Sequence, residues 1–265
     1  MKTNQREYKI FQVDAFTDTL FKGNPACVVP LKKWLPDGLL LKIAKENAVA
    51  ETAYFIEHKN HFHLRWFTPD IEMDLCGHAT LAAAHIIKSE LNSANEIKFK
   101  TLSGDLSVHC KEDLYYLNLP SRKPLNAELP NEIKLALNIQ PNFILKSRDY
   151  LLVYNNEQEI KALKIDRSSF DKINLGHGGV IATAKGNDVD FVSRFFTPQA
   201  TILEDPVTGS AHCSLIPYWA NILSKNKLIA SQYSQRGGTL YCENKGDRVL
   251  VAGKAITYSK GQFRI

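Results

Sequence analysis

The sequence lacks most of the features that would point directly to one function. Its 265 residues include only five cysteines, and none of them forms a Cys-x-x-Cys pair. No apolar run approaches the roughly 18 residues that cross a bilayer. There is no P-loop, no Gly-x-Gly-x-x-Gly fingerprint and no Gly-x-Ser-x-Gly nucleophile turn. These absences argue against a membrane protein, a nucleotide or dinucleotide enzyme and a triad hydrolase.

The charge composition does not point to one function either. Lys and Arg number 33 against 28 Asp and Glu, which gives a net charge of +5, and basic runs reach only two residues, as at Lys32-Lys33. Such a surplus fits a solvated surface better than a phosphate-binding stripe, so nucleic acid is not expected as a partner. Because no apolar signal core follows the N-terminus, we expect reduced thiols in a cytoplasmic protein.

The chain repeats one pattern about half its length later. Arg65-Trp-Phe-Thr-Pro69 recurs as Arg194-Phe-Phe-Thr-Pro198, and each copy is followed by an acidic residue, a glycine and a run of small apolar residues. The glycines stand in Gly77-His78 and in Gly209-Ser210. The repeated order predicts two half-chains of one design, related by a pseudo-twofold axis.

Each half is predicted to combine several strands with one main helix, an α+β architecture. Strand patterns occur at 8–16, 53–57 and 62–67, and the proline-bearing segment 120–130 is the best linker candidate. We therefore expect domains at 1–120 and 121–265, with a tail that is a candidate to return to the N-terminal half. Helices are expected after both glycine turns, and Pro217 should end or kink the second one.

The two glycine turns carry the first functional prediction. A helix N-terminus leaves free N–H groups and adds about half a positive charge, so each turn can hold an anion without an arginine. One such turn is more often only a tight turn; two matched turns favour a shared cleft for a carboxylate or for an enolate formed during reaction.

Three side chains are candidates for proton transfer. Glu51 interrupts an apolar segment, and burying a carboxylate is costly unless it serves a purpose; the alternative is a solvent-facing turn residue. Asp205 precedes the second turn, where helix capping is the alternative, and Asp74 in the first turn is interpreted as a cap. His78 is a candidate general acid or orienting donor, although a lone histidine is more often structural.

Two other chemistries have some support in the sequence. Cys76, His78, His212 and Cys213 offer the ligand types of a zinc site, but their spacings do not match the usual structural patterns, so no metal is expected. Cys76 alone is a candidate thiolate base at a helix N-terminus. A symmetric two-thiol epimerase needs a second cysteine in the matching turn, which has Asp205 instead.

Six segments together resemble the PhzF family, which is named for the isomerase of phenazine biosynthesis. They are Gly23-Asn-Pro-Ala26, Glu51-Thr52, Arg65–Pro69, Cys76-Gly-His-Ala-Thr80, Glu204-Asp-Pro-Val-Thr-Gly-Ser-Ala211 and Arg236-Gly-Gly238. The match runs in order from about residue 8 to the C-terminus. The resemblance implies the diaminopimelate-epimerase-like fold, in which two similar domains each wrap a curved sheet around a central helix and the site lies between them.

The same resemblance implies a site and an activity. Its catalytic residues map onto Glu51, His78 and Asp205, with substrate binding assigned to Asn24, Gly77, Gly209 and Ser210. It further implies no cofactor and a homodimer. In the named isomerase the glutamate shuttles a proton across trans-2,3-dihydro-3-hydroxyanthranilate.

The expected function is therefore a cofactor-independent isomerase that shifts a proton, or epimerises, next to a carboxylate or carbonyl of a small anionic metabolite. Two alternatives stay open. One is a non-catalytic ligand-binding or adaptor protein that retains the cleft. The other is a cysteine-dependent amino-acid racemase or epimerase that uses Cys76.

Overall fold

The chain folds as two compact units in a computed structural model that describes residues 6–91 and 95–265. The first unit comprises the described residues up to Leu117 together with Gly253–Ile265, and the second comprises Asn118–Ala252. The C-terminal strand thus belongs to the first unit. Both units combine many strands with few helices, so the predicted α+β class is confirmed.

The first unit is built around strands that surround one long helix. Its elements are β1 (Glu7–Ala15), β2 (Asn24–Leu31), α1 (Asp37–Asn47), β3 (Glu51–Glu57), β4 (Phe62–Phe67), β5 (Glu72–Met73), α2 (Gly77–Leu91), β6 (Glu96–Thr101), β7 (Gly104–Lys111) and β8 (Leu114–Pro120), whose last residues enter the second unit.

The second unit follows the same plan and has three short helices besides its main helix. Its elements are β9 (Leu125–Asn126), α3 (Asn131–Ala136), β10 (Phe143–Lys146), β11 (Tyr150–Val153), α4 (Glu157–Ala162), α5 (Arg167–Phe170), β12 (Val180–Lys185), β13 (Phe191–Phe196), β14 (Glu204–Asp205), α6 (His212–Leu223), β15 (Lys227–Gln232), β16 (Gly238–Asn244) and β17 (Arg248–Gly253). The last strand, β18 (Ala255–Arg264), pairs with β1 in the first unit. Among the described residues, no helix has the length and apolar character needed to traverse a bilayer.

Strand pairing repeats between the two units. In the first unit β3 is antiparallel to β4, and β4 is antiparallel to β5 and parallel to β6. In the second unit β12, β13, β14 and β15 are paired in the same way. The repeat seen in the sequence is therefore a repeat of topology.

A half-buried arginine explains why the Arg-x-Phe-Thr-Pro pattern recurs. Arg65 on β4 binds both carboxylate oxygens of Glu72 on β5, at 2.7 Å each. Arg194 on β13 binds Glu204 on β14 in the same bidentate way, at 2.7 and 2.8 Å. Two parallel charge-assisted hydrogen bonds fix the geometry of each pair. Each pair thus holds the short strand that leads to the following glycine turn.

The helix α2 lies at the centre of the first unit. Its residues from Gly77 to Ala84, and then Ile86 and Ile87, are buried, and it packs against β1, β2, β3 and β18. A helix that is apolar on all sides belongs in a core. The alanines at 79, 82, 83 and 84 favour a helix and allow strands to approach closely.

Pro217 is expected to end or kink α6. The first of these expectations is wrong, because the helix continues past Pro217 to Leu223. A proline lacks the N–H that would bond to the carbonyl four residues earlier, here that of Cys213. That carbonyl instead accepts a hydrogen bond from the backbone N–H of Arg122, at 2.8 Å. The backbone of a non-helical segment thus satisfies the acceptor that the proline leaves open.

Candidate active site

The first unit brings Glu51, His78, Asn24 and Cys76 together. Glu51 is the first residue of β3, and Asn24 is the first residue of β2, the parallel neighbour of β3. His78 is the second residue of α2, and Cys76 directly precedes that helix. Ends of two adjacent strands and the beginning of the central helix therefore meet at one point.

Glu51 and His78 form a close pair. Glu51 Oε2 lies 3.0 Å from His78 Nε2, and within the described residues neither atom has another hydrogen-bond partner. The His78 side chain is 3% exposed, whereas the Glu51 side chain keeps 13% exposure. The carboxylate is therefore supported from the protein side by an imidazole and still reaches the surface of the unit.

The second ring nitrogen of His78 has partners of its own. Asn24 Nδ2 lies 3.0 Å from His78 Nδ1, and Cys76 Sγ lies 3.6 Å from it. Burial by itself lowers the pKa of His78, but Cys76 and the Glu51 carboxylate act in the opposite direction, and the net pKa is raised well above the ordinary value. Burial, together with the negative charge of Glu51, raises the pKa of the Cys76 thiol to about 11. That thiol therefore keeps its proton near pH 7.

The backbone before β2 fixes the position of Asn24. Gly23 has φ +64°, and a Cβ placed on it would lie 2.2 Å from the carbonyl oxygen of Ala15. Only glycine tolerates both the left-handed conformation and this close approach. The buried carboxylate of Asp14 accepts a hydrogen bond from the Phe21 N–H at 2.9 Å and closes the same loop.

These side chains suit proton transfer better than metal binding. Glu51, Cys76 and His78 each offer one potential ligand atom, all within 4.8 Å of one another. However, Cys76 faces Nδ1 of the ring and Glu51 faces Nε2, so the groups approach different nitrogens.

The matching turn of the second unit is held by polar contacts. The Thr208 hydroxyl donates to the Asp205 carboxylate at 2.5 Å. The buried side chain of Gln232 accepts from the Thr208 N–H and donates to the Asp205 carbonyl, both at 2.8 Å. Gln232 was not found from the sequence, because it is an ordinary polar residue on a strand 24 positions away. These three hydrogen bonds together fix the shape of the Asp205 turn.

Ser210 lies at the beginning of the helical segment after this turn and is 7% exposed. Its hydroxyl oxygen accepts a hydrogen bond from Arg148 Nη2 at 3.1 Å. The guanidinium in turn contacts both oxygens of the buried Asp149, which also accepts from the Gly179 N–H at 2.9 Å. Because the serine oxygen receives a cationic donor, its own proton is available for an acceptor. Arg148 also lay outside the residues selected from the sequence.

His212 and Cys213, the other candidate zinc ligands, are buried in the second unit. His212 Nδ1 lies 2.9 Å from the Thr208 carbonyl oxygen. Burial lowers the pKa of His212 to about 4, so the ring is neutral near pH 7 and donates to that carbonyl. Burial raises the pKa of the Cys213 thiol to about 11. Both side chains have the properties of core residues of α6.

Comparisons with known proteins agree with this architecture. A family model described as "phenazine biosynthesis-like protein" matches residues 13–261. A Pseudomonas aeruginosa protein named as an uncharacterized isomerase is 45% identical over 98% of this chain and 100% of its own length. The crystal structure of a PhzF-family protein from Enterococcus faecalis has a TM-score of 0.92 and 42% identity, and covers 98% of this chain and 100% of its own.

A more distant solved structure shares the fold alone. It is a hydroxyproline epimerase from Agrobacterium vitis with bound trans-4-hydroxy-L-proline, 12% identical to this chain. Its TM-score is 0.67, and the match covers 99% of this chain and 93% of the epimerase. The two-unit architecture is thus similar to that of epimerases as well.

Proposed function

This chain belongs to the phenazine biosynthesis-like family, and on that premise we propose that it is a cofactor-independent isomerase with Glu51 as its acid and base. The substrate is a small anionic metabolite, and the reaction moves a proton, or inverts a carbon centre, next to a carboxylate or carbonyl. The family and its isomerase-named relatives support the reaction class. The observation that carries the role of Glu51 is its 3.0 Å contact with the buried ring of His78.

The chemistry begins at the Glu51 carboxylate. It removes a proton from a substrate carbon whose acidity is raised by the adjacent carbonyl or carboxylate. The electron pair left on carbon delocalises into that group, and the protonated Glu51, whose carboxyl proton exchanges with solvent, returns a proton to the substrate at another carbon or on the other face. No net oxidation or reduction occurs. His78 holds one carboxylate oxygen of Glu51 through Nε2, which leaves the second oxygen for the reacting proton.

The remaining residues bind the substrate in this proposal. The backbone amides at Gly77 and Gly209 and the hydroxyl of Ser210 are donors for an oxyanion. Asp205, held in place by Thr208 and Gln232, accepts from a hydroxyl or amine of the substrate. Arg148 supports Ser210 by donating to its hydroxyl oxygen. The homodimer expected from the family stays a prediction.

Deuterium exchange tests the proposal directly. The protein is incubated in D₂O with trans-2,3-dihydro-3-hydroxyanthranilate, with trans-4-hydroxy-L-proline and with a panel of other small carboxylates, and carbon-bound deuterium is measured by mass spectrometry and NMR. We expect enzyme-dependent exchange into at least one compound. The Glu51→Gln variant should reduce that exchange by about 10²- to 10⁴-fold, the usual contribution of a general base, while retaining the ligand.

Glu57→Gln provides the matched control, because Glu57 is the exposed residue at the opposite end of the same strand. It should exchange at the rate of the parent protein. Near-normal exchange in Glu51→Gln would remove Glu51 from the mechanism. Ligand binding without exchange across the whole panel would instead support the non-catalytic binding protein.

A further inference from the structure

Asn24 is one of the most deeply buried polar residues of the first unit, with 0% exposure. Its side-chain amide lies 3.0 Å from Nδ1 of His78, on the side of the ring opposite the contact with Glu51. The titratable groups that face this ring within the described residues are Glu51 at the beginning of β3 and Cys76 before α2. Asn24, from β2, is the neutral group at the same ring.

A buried histidine that changes charge needs two different partners at the same nitrogen. When the ring is neutral with its proton on Nε2, Nδ1 is an acceptor and requires a donor. When the ring is an imidazolium, Nδ1–H is a donor and requires an acceptor. A buried group without its partner costs about 1–3 kcal/mol, and more when it is charged. A fixed donor or a fixed acceptor would therefore lock His78 in one state.

A side-chain amide can meet both requirements in one place. Its N–H donates to Nδ1 in the neutral state. After a half-turn about the bond to the amide carbon, its oxygen accepts from Nδ1–H in the charged state. The two arrangements have nearly the same shape, so the ring does not need to move and Nε2 stays at Glu51.

We propose that Asn24 is a positioning residue which, by turning its amide, serves both proton states of His78 and keeps Nε2 directed at Glu51. This inference rests on the proposed function, because it explains how the ring keeps Nε2–H at the Glu51 carboxylate in either charge state. It assigns to Asn24 an action through His78 rather than through the substrate.

Two near-isosteric substitutions separate the roles of the amide. Asn24→Asp offers only an acceptor, carries negative charge, and should raise the pKa of His78 by about one unit or more. Asn24→Leu offers neither a hydrogen-bond donor nor an acceptor. Because hydrogen bonds to a charged partner are stronger than neutral ones, the imidazolium loses more than the neutral ring, and the pKa of His78 should fall by about one unit.

The pKa is measured on the full chain labelled with ¹⁵N-histidine, from the ring nitrogen shifts between about pH 5 and about pH 10. The His78 signals are identified by their loss in His78→Gln. In the parent protein the side-chain amide signals of Asn24 should change with the same pKa as the ring. Above that pKa the proton should be on Nε2.

A matched control removes a buried hydrogen bond elsewhere. Thr183→Val, in the second unit, deletes the acceptor of the Trp219 Nε1–H at 2.9 Å and should leave the His78 titration unchanged. The proposal is overturned if Asn24→Leu leaves the pKa of His78 unmoved, or moves it in the same direction as Asn24→Asp. It is equally overturned if His78 keeps one charge throughout that pH range in all three proteins. No substrate is needed, so these outcomes are independent of the deuterium test.

Discussion

Cys76 is the residue on which the two candidate mechanisms differ: in one the base is its thiolate, and in the other it is Glu51. It lies 3.6 Å from His78 Nδ1 and is 4% exposed. A thiolate base needs a lowered pKa, as a helix N-terminus can provide. Here burial and the charge of Glu51 act in the opposite direction and raise the pKa of the thiol to about 11. Burial therefore outweighs the effect of the helix at this position.

The substitution Cys76→Ser tests whether the thiol acts as the base. If Glu51 is the base, the serine variant should retain deuterium exchange within about tenfold of the parent protein, because a neutral thiol contributes only packing and a weak hydrogen bond. A thiol-dependent racemase would lose about 10²-fold or more of its activity. A loss of that size, with an unchanged unfolding midpoint, would transfer the role of base from Glu51 to Cys76.

Among the elements, the loop between β1 and β2 has the closest link to the candidate site. It contains three residues with positive φ, namely Phe16, Phe21 and Gly23, and it delivers Asn24 to the ring of His78. The loop is held by Asp14 through the Phe21 N–H and by the contact of Gly23 with the Ala15 carbonyl. A sequence motif that looks like a simple turn thus places a side chain in the core.

Gly23→Ala should test the importance of this loop. The new Cβ would lie 2.2 Å from the Ala15 oxygen at a left-handed φ, so we expect a loss of about 2 kcal/mol or more in the free energy of unfolding and a displaced Asn24. Gly38→Ala in the first turn of α1 is the matched control, since nothing lies within 4 Å of its Cβ. It should be neutral or stabilise by up to about 1 kcal/mol. Urea unfolding measures both, and equal effects would contradict the argument.

At the scale of the whole molecule, two buried histidines give the stability opposite dependences on pH. The pKa of His78 is raised in the folded protein, so its contribution to stability is present at low pH and is lost as the pH rises through the folded-state pKa. The pKa of His212 is lowered to about 4, so the unfolded chain binds a proton more readily than the folded one. Its contribution is lost as the pH falls from about 6.5 toward about 4.

The lowered pKa of His212 can be tested by measuring the free energy of unfolding. Between about pH 7 and about pH 5, protonation of the unfolded His212 should remove about 2 kcal/mol from the free energy of unfolding. In His212→Asn, whose amide retains a donor near the Thr208 carbonyl, that part of the decline should be absent. Urea unfolding of both proteins at the two pH values gives the difference. Parallel declines would show that His212 has no lowered pKa.

Elements whose causes are local or repeated can be predicted from the sequence alone. The alanine-rich run after Gly77 dictates a buried helix, and the Arg-x-Phe-Thr-Pro copies dictate two units of the same topology, because each copy carries its own arginine and a following glutamate. The apolar surroundings of Glu51 and the places of His78 and Asp205 at the two turns predict these three as site residues, and the family resemblance adds Ser210.

Which of these groups meet depends on contacts between residues that are far apart in the chain. Asn24 contacts His78 from 54 positions away, Arg148 contacts Ser210 from 62 positions away, and Arg122 satisfies the carbonyl that Pro217 leaves open. A hydrogen bond between distant residues leaves no periodicity in the chain, since either partner alone is an ordinary polar residue. The sequence thus specifies which chemical groups are present. The fold specifies which of them pair, and this pairing sets the charge state of His78.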